Sequence, residues 1–504
     1  MHRRNANPSP GRPLAASLMA LALAACANTQ TAVVDDAAMS AAAQAMRAEI
    51  AQGSAPVTHD ITLFEAMARA LSSNLDHRVA MMELDLARAE AGVARYDLLP
   101  QVVASGGYYS RSNQPGASSR SLLSGRESLE PSTSTERDVW TGDIAAVWNV
   151  LDFGLASIRA AQLDNEALIM EERKRKAVIQ IMEDVHAAYY RALSAERLSA
   201  SLSALEGDVR KAFDNSRAQY ESRTTAPMPA LSYQRELTAI RAEAQALSRE
   251  LKVSRMELAS LMGLSPDQSF RLSDPGALPV PGRLSMDYGT MIETALVQRP
   301  EVRESVYARR IGEAEVKAAV LKALPGIETF AGFNASSNDF LFNRDWADYG
   351  VRASWNLIDL FSTGRRKRRA EARAELERQR GLAAAMAVMS QVGVARMQYE
   401  SLLDEYETAR SAATVQGEIT QQIEAQSRAR RASDQTLVRE RMNRILADAR
   451  RDRLHAELAR ASAHVYTALG FDPYTAELTG TGDIATTAAN LRSLWTARMR
   501  APGQ

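Results

Sequence analysis

The residues of this chain that could ligate a metal or attack a substrate are few and scattered. Six histidines and one cysteine occur in 504 residues. His455 and His464 stand nine apart, and no His-Glu-x-x-His or Cys/His cluster is present. There is no Gly-x-Ser-x-Gly elbow, no Walker A loop and no Gly-x-Gly-x-x-Gly turn. The sequence therefore offers no catalytic site, no metal site and no cofactor site, and the chain reads as a non-enzyme.

The one reactive side chain with a context is Cys26. Arg3, Arg4 and Arg12 give a basic start, and Leu14 to Ala25 is a short apolar run of small residues. That is the layout of a secretory signal over residues 1–25. The run ends Leu23-Ala24-Ala25-Cys26, which resembles a bacterial lipobox. In that motif the cysteine becomes the lipidated first residue, carrying palmitate-type acyl chains. Ala27 follows, and by resemblance to other bacterial lipoproteins this favours the outer membrane. Residues 26–60 then form a lipidated lead, rich in Ala, Thr and Gln.

Most of the chain is given to elements that position no chemistry at all. From Val139 to Val150, residues alternate with period two, which predicts a strand with one apolar face carrying Trp140, Ile144 and Trp148. The pattern returns at Trp346, with Tyr349, Val351, Trp355 and Leu357 on one face. Trp148 and Trp355 are 207 apart, and so are Gly263 and Gly470. Upstream the offset is 225, from Leu99-Pro100 to Leu324-Pro325, so the first copy has the longer loop between its strands. The chain is a tandem duplication. Repeat 1 spans 61–285 with strands at about 101–110 and 137–150. Repeat 2 spans 286–474 with strands at about 326–336 and 346–358, and 475–504 is a tail. Each repeat reads as helix, two strands, very long helix and return helix.

Composition agrees with long helices. Charge is balanced, with 61 basic and 61 acidic residues, which argues against nucleic acid as a partner. Aromatics are 6% of residues, too few for a thick globular core. After residue 25 no stretch is apolar enough for a membrane-spanning helix, although barrel strands are only half apolar. Leu198, Leu202, Leu205, Val209 and Ala212 follow a coiled-coil seam inside a helix predicted over 155–220. The amphipathic pattern from Thr62 to Leu98 reads as one helix.

The lipobox, the paired repeats, Leu-Pro before one strand and Trp-Asn-x-x-Asp after its partner resemble the TolC-like outer-membrane efflux proteins, here of lipoprotein type. The resemblance covers residues 61–474. It implies an α+β membrane protein, with three protomers forming one twelve-stranded barrel continued by an α-helical periplasmic tunnel. Trp140, Ile144, Trp148, Tyr349, Val351 and Trp355 would then face lipid. It also implies a passive conduit for small molecules or drugs in the outer membrane, reaching into the periplasm. The partners implied are a periplasmic adaptor and an inner-membrane pump of RND or ABC type. A type I protein-secretion component and a pore-less periplasmic coiled-coil scaffold are the alternatives, and two strand pairs per chain favour the conduit.

The sequence departs from that family at the turns before the return helices. Where members often carry glycine, this chain has Arg223 and Arg430, and where well-known members place two aspartates it has Thr436 and Arg439. The expected gate and adaptor tip is therefore basic, formed by Arg223, Arg428, Arg430, Arg431 and Arg439, with Asp434 the nearest counter-charge in sequence. The run Arg365 to Arg369 reads as a solvated helix start, badly placed for the helix dipole, with anionic lipid at the barrel rim as the alternative.

Overall fold

The computed structural model describes residues 34–52, 57, 59–128, 130–224, 226–265, 268–274, 282–471 and 483–499. The signal segment and Cys26 lie outside them. Helix α1 (Asp36–Gln52) belongs to a compact unit of its own. The second unit begins with α2 (Leu63–Ser73) and α3 (Leu75–Ala94). The single amphipathic helix expected over 62–98 is thus two. Asn74 divides it, because its side chain accepts from the backbone N–H groups of Asp76 and His77 and starts a new helix. Pro300 does the same work in repeat 2 as the first residue of its helix.

Strands β1 (Gln101–Ser110) and β2 (Asp138–Asn149) lead into α4 (Val150–Glu221) and α5 (Pro227–Leu261). Repeat 2 follows with α6 (Tyr288–Gln298), α7 (Pro300–Leu321), β3 (Gly326–Ser336), β4 (Asp345–Ser354), α8 (Leu357–Arg428) and α9 (Asp434–Ala468). A last helix, α10, spans Ile484–Met499. Both long helices have 72 residues and both return helices have 35, so the duplication is metrically exact below the strands. At 1.5 Å per residue each long helix runs about 108 Å.

Two boundaries differ from the sequence reading. β2 ends at Asn149 and β4 at Ser354, so Val150 and Leu357 open helices rather than close strands, and Trp355 lies just beyond β4. The cause is the Trp-Asn-x-x-Asp motif itself. Asn149 caps α4 by accepting from Leu151 and Asp152, and Asn356 caps α8 by accepting from Ile358 and Asp359. The aspartates then sit in the first turn, at the favourable end of the dipole.

The four strands form one antiparallel sheet in the order β1-β2-β3-β4. Below it, α3 packs on α4, α4 on α7 and α7 on α8, in the same lateral sequence. At the far half, Leu202, Leu205 and Val209 of α4 are buried with Leu237 and Ile240 of α5 and Val438, Met442 and Ile445 of α9. The expected seam is therefore a three-helix contact that ties the repeats together. Among the described residues no helix is long and apolar enough to cross a membrane, which says nothing about a barrel.

Candidate conduit: sheet faces and helical tip

The register sorts every strand residue onto one of two faces. Tyr108, Trp140 and Ser337 cluster at one end, with Tyr108 opposite Trp140 and their rings 4.6 Å apart. Moving along the same face, Ala104 is opposite Ile144, which is opposite Phe333, which is opposite Ala347. Val102, Ala146, Ala331 and Tyr349 form the next row, and Trp148, Thr329 and Val351 the one after. This face is apolar across the four strands apart from Thr329, Asp345 and, at the end beyond Trp140, the pair Ser110 and Asp138. It is nevertheless open to solvent in the single chain: Trp140 is 64%, Tyr349 85% and Val351 72% exposed.

The other face is polar and internally bonded. The Ser105 hydroxyl donates to Asp143, Asn334 Nδ2 to Asp348 Oδ1 at 3.0 Å, and Arg352 Nη1 to Glu328 Oε1 at 3.2 Å. The Arg352 guanidinium also lies over the Phe330 ring at 5.7 Å. One face apolar except at the end where Tyr108 and Ser110 donate to Asp138, the other carrying the remaining cross-strand polar bonds, is the two-sided pattern of a strand set between hydrocarbon and water. Trp148 stacks edge-on against Phe153 at 5.5 Å, and Trp355 Nε1 donates to the Ala323 carbonyl at 3.0 Å. Both indoles therefore stand at the junction of sheet and helix, where amphipathic rings suit a membrane interface.

At the opposite end, α4 and α8 each finish in the same closure. Thr224 N–H reaches back to the Gln219 carbonyl and Arg431 N–H to that of Gln426. Between them Arg223 and Arg430 have φ of 54° and 55°, the left-handed region where glycine is the usual occupant. The sequence signal for these turns was thus the pair of positions, not the residue type. Arg223, Arg428, Arg430, Arg431, Asp434 and Arg439 are all exposed. Among the described residues Arg223, Arg428, Arg430 and Arg431 have no side-chain partner.

Arg439 differs from the others. Its Nη2 donates to Glu236 Oε2 at 3.1 Å, and Gln435 Nε2 donates to the same oxygen at 3.0 Å. The counter-charge is Glu236 on α5, not Asp434. Hydrogen bonding from Arg439 holds the Glu236 carboxyl below its ordinary value. Two residues on, Arg441 bonds to Asp208 of α4 and to Glu424 of α8, the latter at 3.1 Å. The start of α9 is thereby pinned to three other helices. Neither Glu236 nor Asp208 could be found from sequence, since each lies more than 200 residues from its partner.

Among the described residues the histidines do not assemble a site. His186 is buried beside Tyr190 and stacks on Trp495 of α10 at 5.4 Å, and His455 sits against Tyr190 at 4.8 Å. Burial drives the His186 imidazole down to about 3, with His455 adding to the effect. It is a packed, neutral ring. Among the described residues no group of three or more His, Cys, Asp or Glu could hold a metal.

The sequence model of the family described as "Outer membrane efflux protein" matches residues 66–264. Nodulation protein T from Rhizobium leguminosarum bv. trifolii is 23% identical over 304 residues, covering 59% of this chain and 60% of that protein. The match thus spans less than two thirds of that relative. The outer-membrane channel OprN has the same fold with a TM-score of 0.60 at 18% identity, over 81% of this chain and 89% of that one. The Neisseria gonorrhoeae MtrE channel, described in its open state, gives 0.61 at 17%, over 81% and 88%. The Campylobacter jejuni CmeC channel gives 0.63 at 14%, over 85% and 89%. Residues 66–264 thus match the outer-membrane efflux protein family model, and the chain shares the fold of these outer-membrane channels across both repeats.

Proposed function

We propose that the chain is the outer-membrane conduit of a three-part export system, and that three copies close one twelve-stranded barrel over a shared helical tunnel. The observation that carries this reading is the four-stranded sheet, with one apolar exposed face and two unpaired edges, β1 and β4. Open edges are not tolerated in hydrocarbon, so the sheet must be closed by other copies. The helices support the same closure. On α3, Leu75, Val79, Met82, Leu86 and Val93 form an exposed stripe with heptad spacing beside the β1 edge. In this reading a neighbouring copy's α8 covers it. The tips, about 108 Å of helix from the sheet, would meet the periplasmic adaptor and the pump beyond it. Cys26 adds an acyl tether at the membrane, and mass spectrometry of the mature N-terminus would show lipid on it.

The faces can be told apart by charge. Ile144→Arg or Val351→Arg places a cation on the apolar face and costs about 2–4 kcal/mol at mid-bilayer. Ala145→Arg, one residue away on the polar face, should be mild. Insertion yield and single-channel current in planar bilayers would measure this. Equal tolerance on the two faces would sink the barrel.

A further inference from the structure

The start of α8 carries five exposed cations in a row, Arg365 to Arg369. Two are answered locally. Arg366 Nη2 donates to Asp359 Oδ1 at 2.6 Å, and Lys367 Nζ lies 3.5 Å from Glu371. Arg365, Arg368 and Arg369 have no carboxylate partner among the described residues. The fold does not demand them. At the matching positions 158–162, repeat 1 has Ile, Arg, Ala, Ala and Gln, and its one cation, Arg159, lies 3.9 Å from Glu166.

What lies beside the three arginines is apolar and bare. Ile358 is 77% and Phe361 85% exposed. Ile358, Phe361, Arg365 and Arg368 are spaced three, four and three, so they share one helical face, apolar next to the sheet and cationic away from it. Helical side chains lean toward the N-terminus, which here is the sheet end. Arg365 is about 6 Å along the axis from Phe361, within the length of its own side chain. Just past the end of the adjacent α7, Lys322 is exposed next to the Ala323 carbonyl that holds the Trp355 indole.

We infer that this collar binds the headgroups of anionic phospholipid in the periplasm-facing leaflet. The inference rests on the barrel reading above. The order along the face, apolar then cationic, matches an acyl chain followed by its phosphate. A soluble anion would leave Ile358 and Phe361 without a role.

The test uses the full chain, purified in detergent as the assembled oligomer and supplied with phosphatidylglycerol or phosphatidylcholine. Lipid retained on the protein is counted by native mass spectrometry. The wild type should retain phosphatidylglycerol preferentially, by about fivefold for each arginine engaged. Arg365→Gln with Arg368→Gln should abolish the preference. Arg366→Gln with Lys367→Gln removes the same charge from the paired members and should keep it. The inference is overturned if the first double variant keeps the preference, or if phosphatidylcholine is held as well as phosphatidylglycerol by the wild type. It is also overturned if that variant falls into single chains, because the arginines are then a contact between copies. Single-channel current on the same samples separates the two readings. Current without lipid preference removes the collar alone, and lipid preference without current in any sample removes the conduit.

Discussion

Four helices of this chain end in the same backbone closure, and they fall into two kinds. At the ends of α5 and α9, called the base below, the left-handed residue is Gly263 or Gly470, with φ of 67° and 75°. At the ends of α4 and α8, at the tip, it is Arg223 or Arg430. The hydrogen bonds are alike: Leu264 N–H to Ala259 and Phe471 N–H to Tyr466 repeat the closure made by Thr224 and Arg431. What differs is the surroundings. A Cβ at Gly263 would lie 2.5 Å from the Ser73 Cβ, and one at Gly470 2.6 Å from the Gln298 carbonyl carbon. Arg223 and Arg430 are exposed. At the base, glycine is required twice over, by φ and by packing. At the tip only φ disfavours a side chain, by about 1–2 kcal/mol. Packing and φ together select glycine at the base, and no packing demand adds to φ at the exposed tip.

The largest effect that would sharpen this contrast is at the base. Gly470→Ala or Gly263→Ala should destabilise by about 3 kcal/mol or more, because the backbone must both strain and move. Denaturant midpoints would measure it. If these variants lose no more than a surface substitution, packing is not what selects glycine.

Acid should next distinguish the two regions. At the base, His186 has a folded value depressed to about 3 against an ordinary 6.5, so the unfolded chain binds the proton first. Stability should fall as pH drops below about 6.5, by up to about 1.4 kcal/mol per pH unit until about 3. His186→Phe should flatten that slope in thermal melts taken between pH 7 and 5. At the tip the sign is the same but the window lies lower, below this range. Glu236 is held below its ordinary value by Arg439, so its contribution is fully present above the usual glutamate range and is lost only on falling through the lowered value. Tip-dependent conductance should therefore be flat from pH 7 to 5, and a change traced to Glu236 there would break the comparison.

Smaller effects test the tip itself. Arg430→Gly should relieve the left-handed strain yet raise stability by less than about 1 kcal/mol, since glycine is freer in the unfolded chain. Its signature is in selectivity: losing cations from the tip should move ion preference toward cations. Glu236→Gln, which breaks an exposed pair, should cost under about 1 kcal/mol in stability. It should alter conductance more than stability, and unchanged current would mean that α9 is not held by that pair.

The sequence exposed what repeats and what alternates. The offset of 207 located the strands, the long helices and the two arginines in glycine positions, because periodicity is carried by residue types close in the chain. The seam through Leu202, Leu205 and Val209 was visible for the same reason, though not its third partner on α9. The break at Asn74 escaped because one capping side chain overrode an unbroken amphipathic pattern. The end of β4 escaped because Trp355 and Leu357 continue the alternation that Asn356 stops. Glu236 and Asp208 were invisible because their partnership is made only when repeat 2 folds against repeat 1. His186 carried no signal at all, since an isolated histidine in a helix looks the same whether it is packed or wet.

The central claim is that this sheet is a third of a closed barrel. The most direct measurement is the mass of the protein part of the purified complex in detergent, by light scattering with the detergent contribution subtracted. The account predicts three chains of 55.1 kDa less the signal segment. A single chain, stable in detergent with β1 and β4 unpaired, would contradict it.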